Sequence, residues 1–154
     1  MDNISQYQLN DKQTKIAVSL YRHLFWADNL RKQFESVLMR DKSELERRLQ
    51  TKQLTFEPKL LESEMYMCLW LGCLYSVVEG WSNLNINEPG IKKLLEKGYK
   101  KKLSDFRNAV FHPVKYDDVR LRSLAAEGQK SVDWARELTH EFKVFFESIL
   151  VFPS

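Results

Sequence analysis

The chain has 154 residues, with 44% apolar and 29% charged side chains and a net charge of +3 at neutral pH. This length suits one folded domain over residues 1–154, and the composition excludes a disordered protein. Only four prolines and five glycines occur, too few for the many turns of a β-rich fold, so we expect an all-α protein.

Apolar residues recur at three- and four-residue steps along most of the chain, the spacing of amphipathic helices. The predicted helices span about 11–39, 40–53, 61–84, 88–97, 100–112 and 130–151. Residues 114–127 fit either a loop or a short helix. Asn10 or Asp11 can cap the first helix, and Pro113 ends the fifth. The first half of 61–84 is apolar on nearly every side, which predicts that neighbouring helices surround it. We expect an antiparallel bundle of four to five helices.

The sequence gives no indication of export or of a membrane span. No stretch reaches the roughly 20 apolar residues that cross a bilayer, and residues 1–10 lack the apolar centre of a signal peptide. Cys68 and Cys73 are five residues apart and would point away from each other on a helix, which argues against a disulfide. We therefore expect a cytoplasmic protein with no membrane partner.

Positive charge is concentrated in one segment. Residues 91–107 hold seven basic and two acidic side chains, a net charge of +5 in a chain whose total is +3. A local positive patch attracts a polyanion, so its lysines are candidate RNA contacts. These candidates are Lys97, Lys100, Lys101 and Lys102. The alternative is an ordinary solvated helix face.

The segment that ends this patch carries the residues best suited to chemistry. On the predicted helix, Asn108 and His112 lie one turn apart on the side away from the apolar stripe. Phe111 also faces away from that stripe, which favours a second buried contact such as a homodimer crossing this face. An imidazole can take or give a proton and the neighbouring Arg107 can hold a phosphate, as phosphodiester cleavage requires.

At 107–112 the sequence reads Arg-Asn-Ala-Val-Phe-His, which resembles the Arg-polar-x-x-x-His motif of the HEPN superfamily (higher eukaryotes and prokaryotes nucleotide-binding domain). Members are four- or five-helix bundles that usually dimerise, and many are metal-independent endoribonucleases. The resemblance implies that Arg107 and His112 are catalytic, that Asn108 orients them, and that two subunits form one composite cleft. It also implies a toxin, defence or stress protein, with an antitoxin or another protein as a partner.

We therefore predict a metal-independent endoribonuclease that cleaves RNA, not DNA, to a 2′,3′-cyclic phosphate end and needs no cofactor. His112 would act as general base or acid, Arg107 would stabilise the transition state, and Asn108 would bind the substrate or His112. Glu79 could assist the motif or pair with a lysine instead. The sequence holds no metal-binding signature. The alternative is a non-catalytic helical module that binds RNA, a nucleotide or a protein partner.

The remaining candidates are expected to be structural. His23 and His140 have no comparable neighbours along the sequence, and Cys68 has no basic neighbour to activate its thiol. The tryptophans, at positions 26, 70, 81 and 134, are expected to anchor the core or an interface.

Overall fold

The computed structural model describes residues 7–44, 47, 58–115 and 118–150. Within these ranges six α-helices and one 3₁₀ turn have defined bounds, residues 42–44 and 47 are also helical, and no strand occurs. The helices are α1 (Asp11–Arg40), α2 (Pro58–Trp81), α3 (Pro89–Leu95), α4 (Tyr99–Phe111), α5 (Val119–Ala125) and α6 (Gln129–Ile149). The 3₁₀ turn, Ser82–Leu84, directly follows α2. The all-α class predicted from composition is confirmed.

Local signals in the sequence explain where several helices begin. Asn10 Oδ1 accepts a hydrogen bond from the Gln13 amide at 2.9 Å, and Gln13 Oε1 accepts one from the Asn10 amide at 3.1 Å. This reciprocal pair satisfies amides that the first turn of α1 leaves unpaired. Glu88 caps α3 by accepting a hydrogen bond from the Ile91 amide at 2.8 Å. Pro58 is the first residue of α2, where a missing N–H costs no helical hydrogen bond.

The structure corrects one expectation about α2. Leu61 and Met65, in its first half, remain 44% and 47% exposed, so neighbouring helices do not surround that half. The second half, between Trp70 and Trp81, carries most of the buried side chains because the other helices pack there. The ambiguous stretch 114–127 contains the short helix α5. The surface helix predicted over 40–53 lies mostly outside the described residues.

One cluster of buried side chains draws on all six helices. α1 packs along α2, α6 packs against both, and α4 packs against α2 and α5. The Trp81 ring lies edge-on to two phenylalanine rings, with its centroid 5.3 Å from that of Phe142 and 5.0 Å from that of Phe145. This is a favourable arrangement for aromatic rings. The buried indole of Trp134 donates a hydrogen bond to the Leu94 carbonyl at 2.9 Å and so ties α6 to α3. The result is a helical bundle around an aromatic core.

Two further predictions concern α2 and the tryptophans. Cys68 and Cys73 are both free thiols, as their spacing on one helix predicted. Three tryptophans, Trp70, Trp81 and Trp134, are buried in the core, whereas Trp26 of α1 is 46% exposed. No helix in the described part of the chain is both long enough and apolar enough to cross a membrane.

Candidate functional site

The candidate motif occupies the end of α4. Leu103 and Phe106 of this helix are buried in the core. The helix ends at Phe111 because Pro113 disfavours a helical backbone at the residue before it. His112 accordingly takes an extended conformation, with φ −124° and ψ 138°, and its side chain is exposed. The helix end predicted at this proline is confirmed.

Arg107 is held in place by an aromatic ring and an amide. Its guanidinium carbon lies 5.3 Å from the centre of the Tyr75 ring on α2, within the range of a cation–π contact. Its Nη1 donates a hydrogen bond to Asn108 Oδ1 at 2.8 Å. Asn108 therefore orients Arg107, whereas the described residues show no hydrogen bond between Asn108 and His112.

Arg107, Phe111 and His112 line an open surface cleft of about 360 Å³. Gly72 and Cys73 of α2 belong to the same lining. Among the described residues that line the cleft there is no aspartate and no glutamate. Because Arg107 belongs to this lining and no described carboxylate does, the cleft is suited to an anion.

The close approach of α4 to α2 at Gly72 shapes this cleft. A Cβ atom at that position would lie 2.7 Å from Cε2 of Phe111 and 3.1 Å from its Cζ, closer than non-bonded carbons pack. Glycine therefore allows the Phe111 ring to lie over α2. The Phe111 side chain is still 54% exposed, which confirms that it faces away from the core.

Sequence reasoning missed the contribution of α1. His23 and Trp26, which were expected to be structural, both line the cleft. His23 Nδ1 lies 2.9 Å from the Ser19 carbonyl oxygen, and the His23 ring packs edge-on to Trp26 with centroids 5.2 Å apart. The Arg22 guanidinium carbon lies 5.5 Å from the centre of the Trp26 ring. The available signal was that His23 and Trp26 fall one turn apart, off the buried stripe of α1.

Among the described contacts, Glu79 is linked to the motif through Tyr75. The Tyr75 hydroxyl accepts a hydrogen bond from Ser104 Oγ at 3.1 Å and donates one to Glu79 Oε1 at 3.5 Å, the outer limit for such a bond. Glu79 is exposed and is not among the described residues that line the cleft. Its position allows it to hold Tyr75, and Tyr75 in turn holds Arg107.

Both cysteines are poorly suited to nucleophilic chemistry. Burial raises the pKa of the Cys73 thiol, which lines the cleft. Burial, and then the negative charge of Glu64, raise the pKa of Cys68 to about 11. Both groups therefore remain thiols near neutral pH, whereas a cysteine nucleophile reacts as the thiolate.

Three of the four candidate RNA-binding lysines have carboxylate partners. Lys97 pairs with Glu137 at 3.3 Å, Lys101 with Asp105 at 3.1 Å, and Lys102 with Glu127. Lys100 is exposed and forms no ion pair with any described residue. It lies about 10 Å before Arg107 along the axis of α4 and about 20° from it around that axis, hence on the same face. Lys100 is therefore the lysine best placed to extend the positive charge of the motif.

Comparison with protein-family models, with curated proteins and with solved structures finds no match to this chain. The resemblance to the HEPN superfamily therefore rests on the 107–112 motif and on the order of the helices. Membership of that superfamily stays a prediction.

The side chains that line the cleft indicate which reactions it could support. The described residues contain no group of three or more His, Cys, Asp and Glu that could hold a metal ion. The cleft itself offers two imidazoles, His23 and His112, together with the guanidinium of Arg107. Imidazoles exchange protons near neutral pH, and a guanidinium binds phosphate through paired hydrogen bonds. This set is suited to phosphoryl chemistry.

Proposed function

We propose that the chain is a metal-independent endoribonuclease of the HEPN type, with Arg107 and His112 as its catalytic residues. The observation that carries the proposal is that both side chains line one open cleft in which no described carboxylate opposes an anionic substrate. His112 is exposed at the end of its helix, so a phosphodiester can approach its imidazole. Arg107 lines the same cleft, and a guanidinium can bind a phosphate through paired hydrogen bonds.

In the proposed reaction, the ribose 2′-oxygen attacks the adjacent phosphorus while the bond from phosphorus to the 5′-oxygen of the next nucleotide breaks. Arg107 stabilises the negative charge that accumulates on the phosphoryl oxygens. His112 transfers one of the two protons that the reaction moves. The products are a 2′,3′-cyclic phosphate and a 5′-hydroxyl end. The contacts of Arg107 with Tyr75 and Asn108 position it before RNA binds, which lowers the cost of ordering the site.

The surroundings of the cleft support RNA as the substrate. Trp26 lines the cleft and is 46% exposed, and the bases of single-stranded RNA stack on exposed aromatic rings. Lys100, on the same face of α4 as Arg107, can contact a neighbouring phosphate of the backbone. The cleft thus offers separate groups for a base, the reacting phosphate and the flanking chain.

We also propose that two copies of the chain associate across the end of α4. Phe111 is 54% exposed at the edge of the cleft, and large exposed apolar side chains are typical of interaction surfaces. A two-fold contact through Phe111 would bring the two clefts together. This is the arrangement that the resemblance implies.

RNA cleavage in the presence of EDTA tests the proposed function. We expect the wild-type chain to yield fragments with 2′,3′-cyclic phosphate and 5′-hydroxyl ends, and a single 2′-deoxynucleotide at the cleaved position should prevent cleavage. His112→Ala should lower the rate by about 10²–10⁴-fold. His140→Ala is the matched control, because His140 is exposed on α6 and is not among the described residues of the cleft.

Three results would contradict the proposal. Activity that EDTA abolishes would contradict the metal-independent mechanism. Full activity of His112→Ala would remove the catalytic assignment. A wild-type chain that binds RNA without cleaving it would identify the protein as a binding module instead.

A further inference from the structure

The ring of His23, which lines the cleft, forms a hydrogen bond with the backbone of α1. Its Nδ1 lies 2.9 Å from the carbonyl oxygen of Ser19, one turn earlier on α1. A carbonyl oxygen only accepts hydrogen bonds, so Nδ1 carries the hydrogen and donates it. In the neutral ring the other nitrogen, Nε2, then holds a lone pair that can accept a proton. This is the arrangement that a general base requires.

The orientation of the His23 ring is also determined. The ring packs edge-on to Trp26, with centroids 5.2 Å apart and an angle of 63° between the planes. Both residues lie within the 30-residue helix α1, and the neighbouring Ala27 and Leu24 are buried in the core. A rigid element thus supports His23, and proton-transfer groups act best from such positions.

The other polar side chains that line the cleft cannot act as the general base. The guanidinium of Arg107 offers only N–H donors and no acceptor for a proton. The Cys73 thiol stays protonated near neutral pH because burial raises its pKa, and Ser76 has only a hydroxyl. Of the described residues that line the cleft, only His23 and His112 carry an imidazole, the side chain that most often acts as a general acid or base.

We propose that His23 is the general base of this cleft and acts together with His112 of the same subunit. This inference rests on the proposed ribonuclease function. His23 Nε2 takes the proton from the 2′-hydroxyl as the 2′-oxygen bonds to phosphorus. The bond from phosphorus to the 5′-oxygen breaks, and protonated His112 gives its proton to that oxygen. Exchange with water then returns the proton of His23 to solvent and reprotonates His112, so that the next cycle can begin.

The pH profile of cleavage by the full-length chain separates the two roles. The wild-type profile should be bell-shaped, since the base must be neutral and the acid protonated. His23→Gln removes the imidazole but keeps a side chain of similar size. It should lower the rate by about 10²–10⁴-fold and remove the fall of activity at low pH. His112→Ala should remove the fall of activity at high pH. The control His140→Ala should keep the fall of activity at low pH and at high pH.

Thermal melts show whether the His23→Gln variant is folded. If its melting temperature is lowered, two further variants provide the same test. His23→Asn is a second substitution that removes the imidazole, and His23→Ala is assayed with and without added imidazole. Restored cleavage with imidazole supports a proton-transfer role, because a merely structural histidine would not be replaced by a soluble base. No rescue in a folded variant would overturn the assignment.

Mixing inactive variants tests whether the two histidines act within one subunit. Copies carrying His23→Gln and copies carrying His112→Ala are combined, so that mixed dimers form. If the pair acts within one subunit, no mixed dimer has a complete site and activity stays absent. Recovery of cleavage would place the two histidines of one site on different subunits and overturn that part of the inference.

Failure of this inference is distinguishable from failure of the proposed function. An active wild type that needs His112 but cleaves equally well with His23→Gln would overturn only the role of His23. A wild-type chain that leaves RNA uncut would overturn both.

Discussion

Replacing Arg107 with alanine should remove most of the cleavage activity at a small cost in stability. The substitution loses the cation–π contact with Tyr75, at 5.3 Å, and the hydrogen bond to Asn108, at 2.8 Å. A cation–π contact at a partly exposed site contributes about 0.5–1 kcal/mol, and one hydrogen bond contributes about 0.5–1.5 kcal/mol. We therefore expect the free energy of unfolding to fall by about 1–2.5 kcal/mol, which lowers Tm by about 2–10 °C in a chain of this size.

Cleavage should fall much further than stability. Removing one donor that stabilises transition-state charge lowers the rate by about 10²–10³-fold, or about 2.7–4 kcal/mol in activation free energy. Arg107→Lys keeps the charge but lacks the planar guanidinium that stacks on Tyr75 and binds phosphate in a paired way. It should recover only part of the activity. The assay is single-turnover cleavage of a labelled RNA with EDTA present, beside circular dichroism melts of each variant.

Arg22→Ala is the matched control for Arg107→Ala. The Arg22 guanidinium carbon lies 5.5 Å from the centre of the Trp26 ring, so its loss removes a similar cation–π contact and the same charge. Arg22 is not among the described residues that line the cleft, and its variant should cleave within a few fold of the wild type. Equal losses of activity in both variants, or full activity of Arg107→Ala, would refute the reasoning.

Three further predictions concern the cleft and its surroundings. Gly72→Ala should displace the Phe111 ring, because the new Cβ would lie 2.7 Å from its Cε2. Cleavage should fall, while replacing a helical glycine with alanine adds up to about 1 kcal/mol of stability in a thermal melt. Lys100→Ala should weaken RNA binding and reduce the slope of log affinity against log salt by about 1, the effect of one lost phosphate contact. Phe111→Ser should convert a dimer at micromolar concentration into a monomer in light scattering.

Each of these predictions has its own control. A Gly72→Ala chain with wild-type cleavage would show that the position of Phe111 does not matter to the reaction. Lys102→Ala serves beside the Lys100 variant, since Lys102 is paired with Glu127 and should change the salt dependence less. A wild-type chain that scatters as a monomer would remove the dimer proposal, and a Phe111→Ser dimer would place the interface elsewhere.

The sequence alone determined the helices that have local signals. α1 begins after Asn10 because a capping side chain and a glutamine three residues later satisfy the first amides. α4 ends at Phe111 because Pro113 acts on the backbone of its direct neighbour. Such effects act within one or two helical turns, so a single segment contains all the information that decides them. The exposure of Phe111 and the free state of the cysteines followed from helical periodicity in the same way.

Ion pairing along the lysine patch could not be predicted, because it depends on residues far apart in sequence. Lys97 meets Glu137 of α6, and Lys102 meets Glu127, which follows α5. Both partners lie well beyond the helical turn over which sequence spacing is informative. The packing of the helices therefore decides which lysine has no described ion-pair partner. That lysine is Lys100, which lies on the same face of α4 as Arg107.

The cleft itself was decided by tertiary structure. The sequence singled out Arg107 and His112 as a pair on one helix, but it offered no reason to connect them with His23, more than 80 positions earlier. That connection exists because α1 and α4 both pack against α2. Gly72 of α2 leaves room for the Phe111 ring at this junction. Helical periodicity identifies which side of each helix is buried, whereas the fit of side chains between helices decides which exposed residues meet.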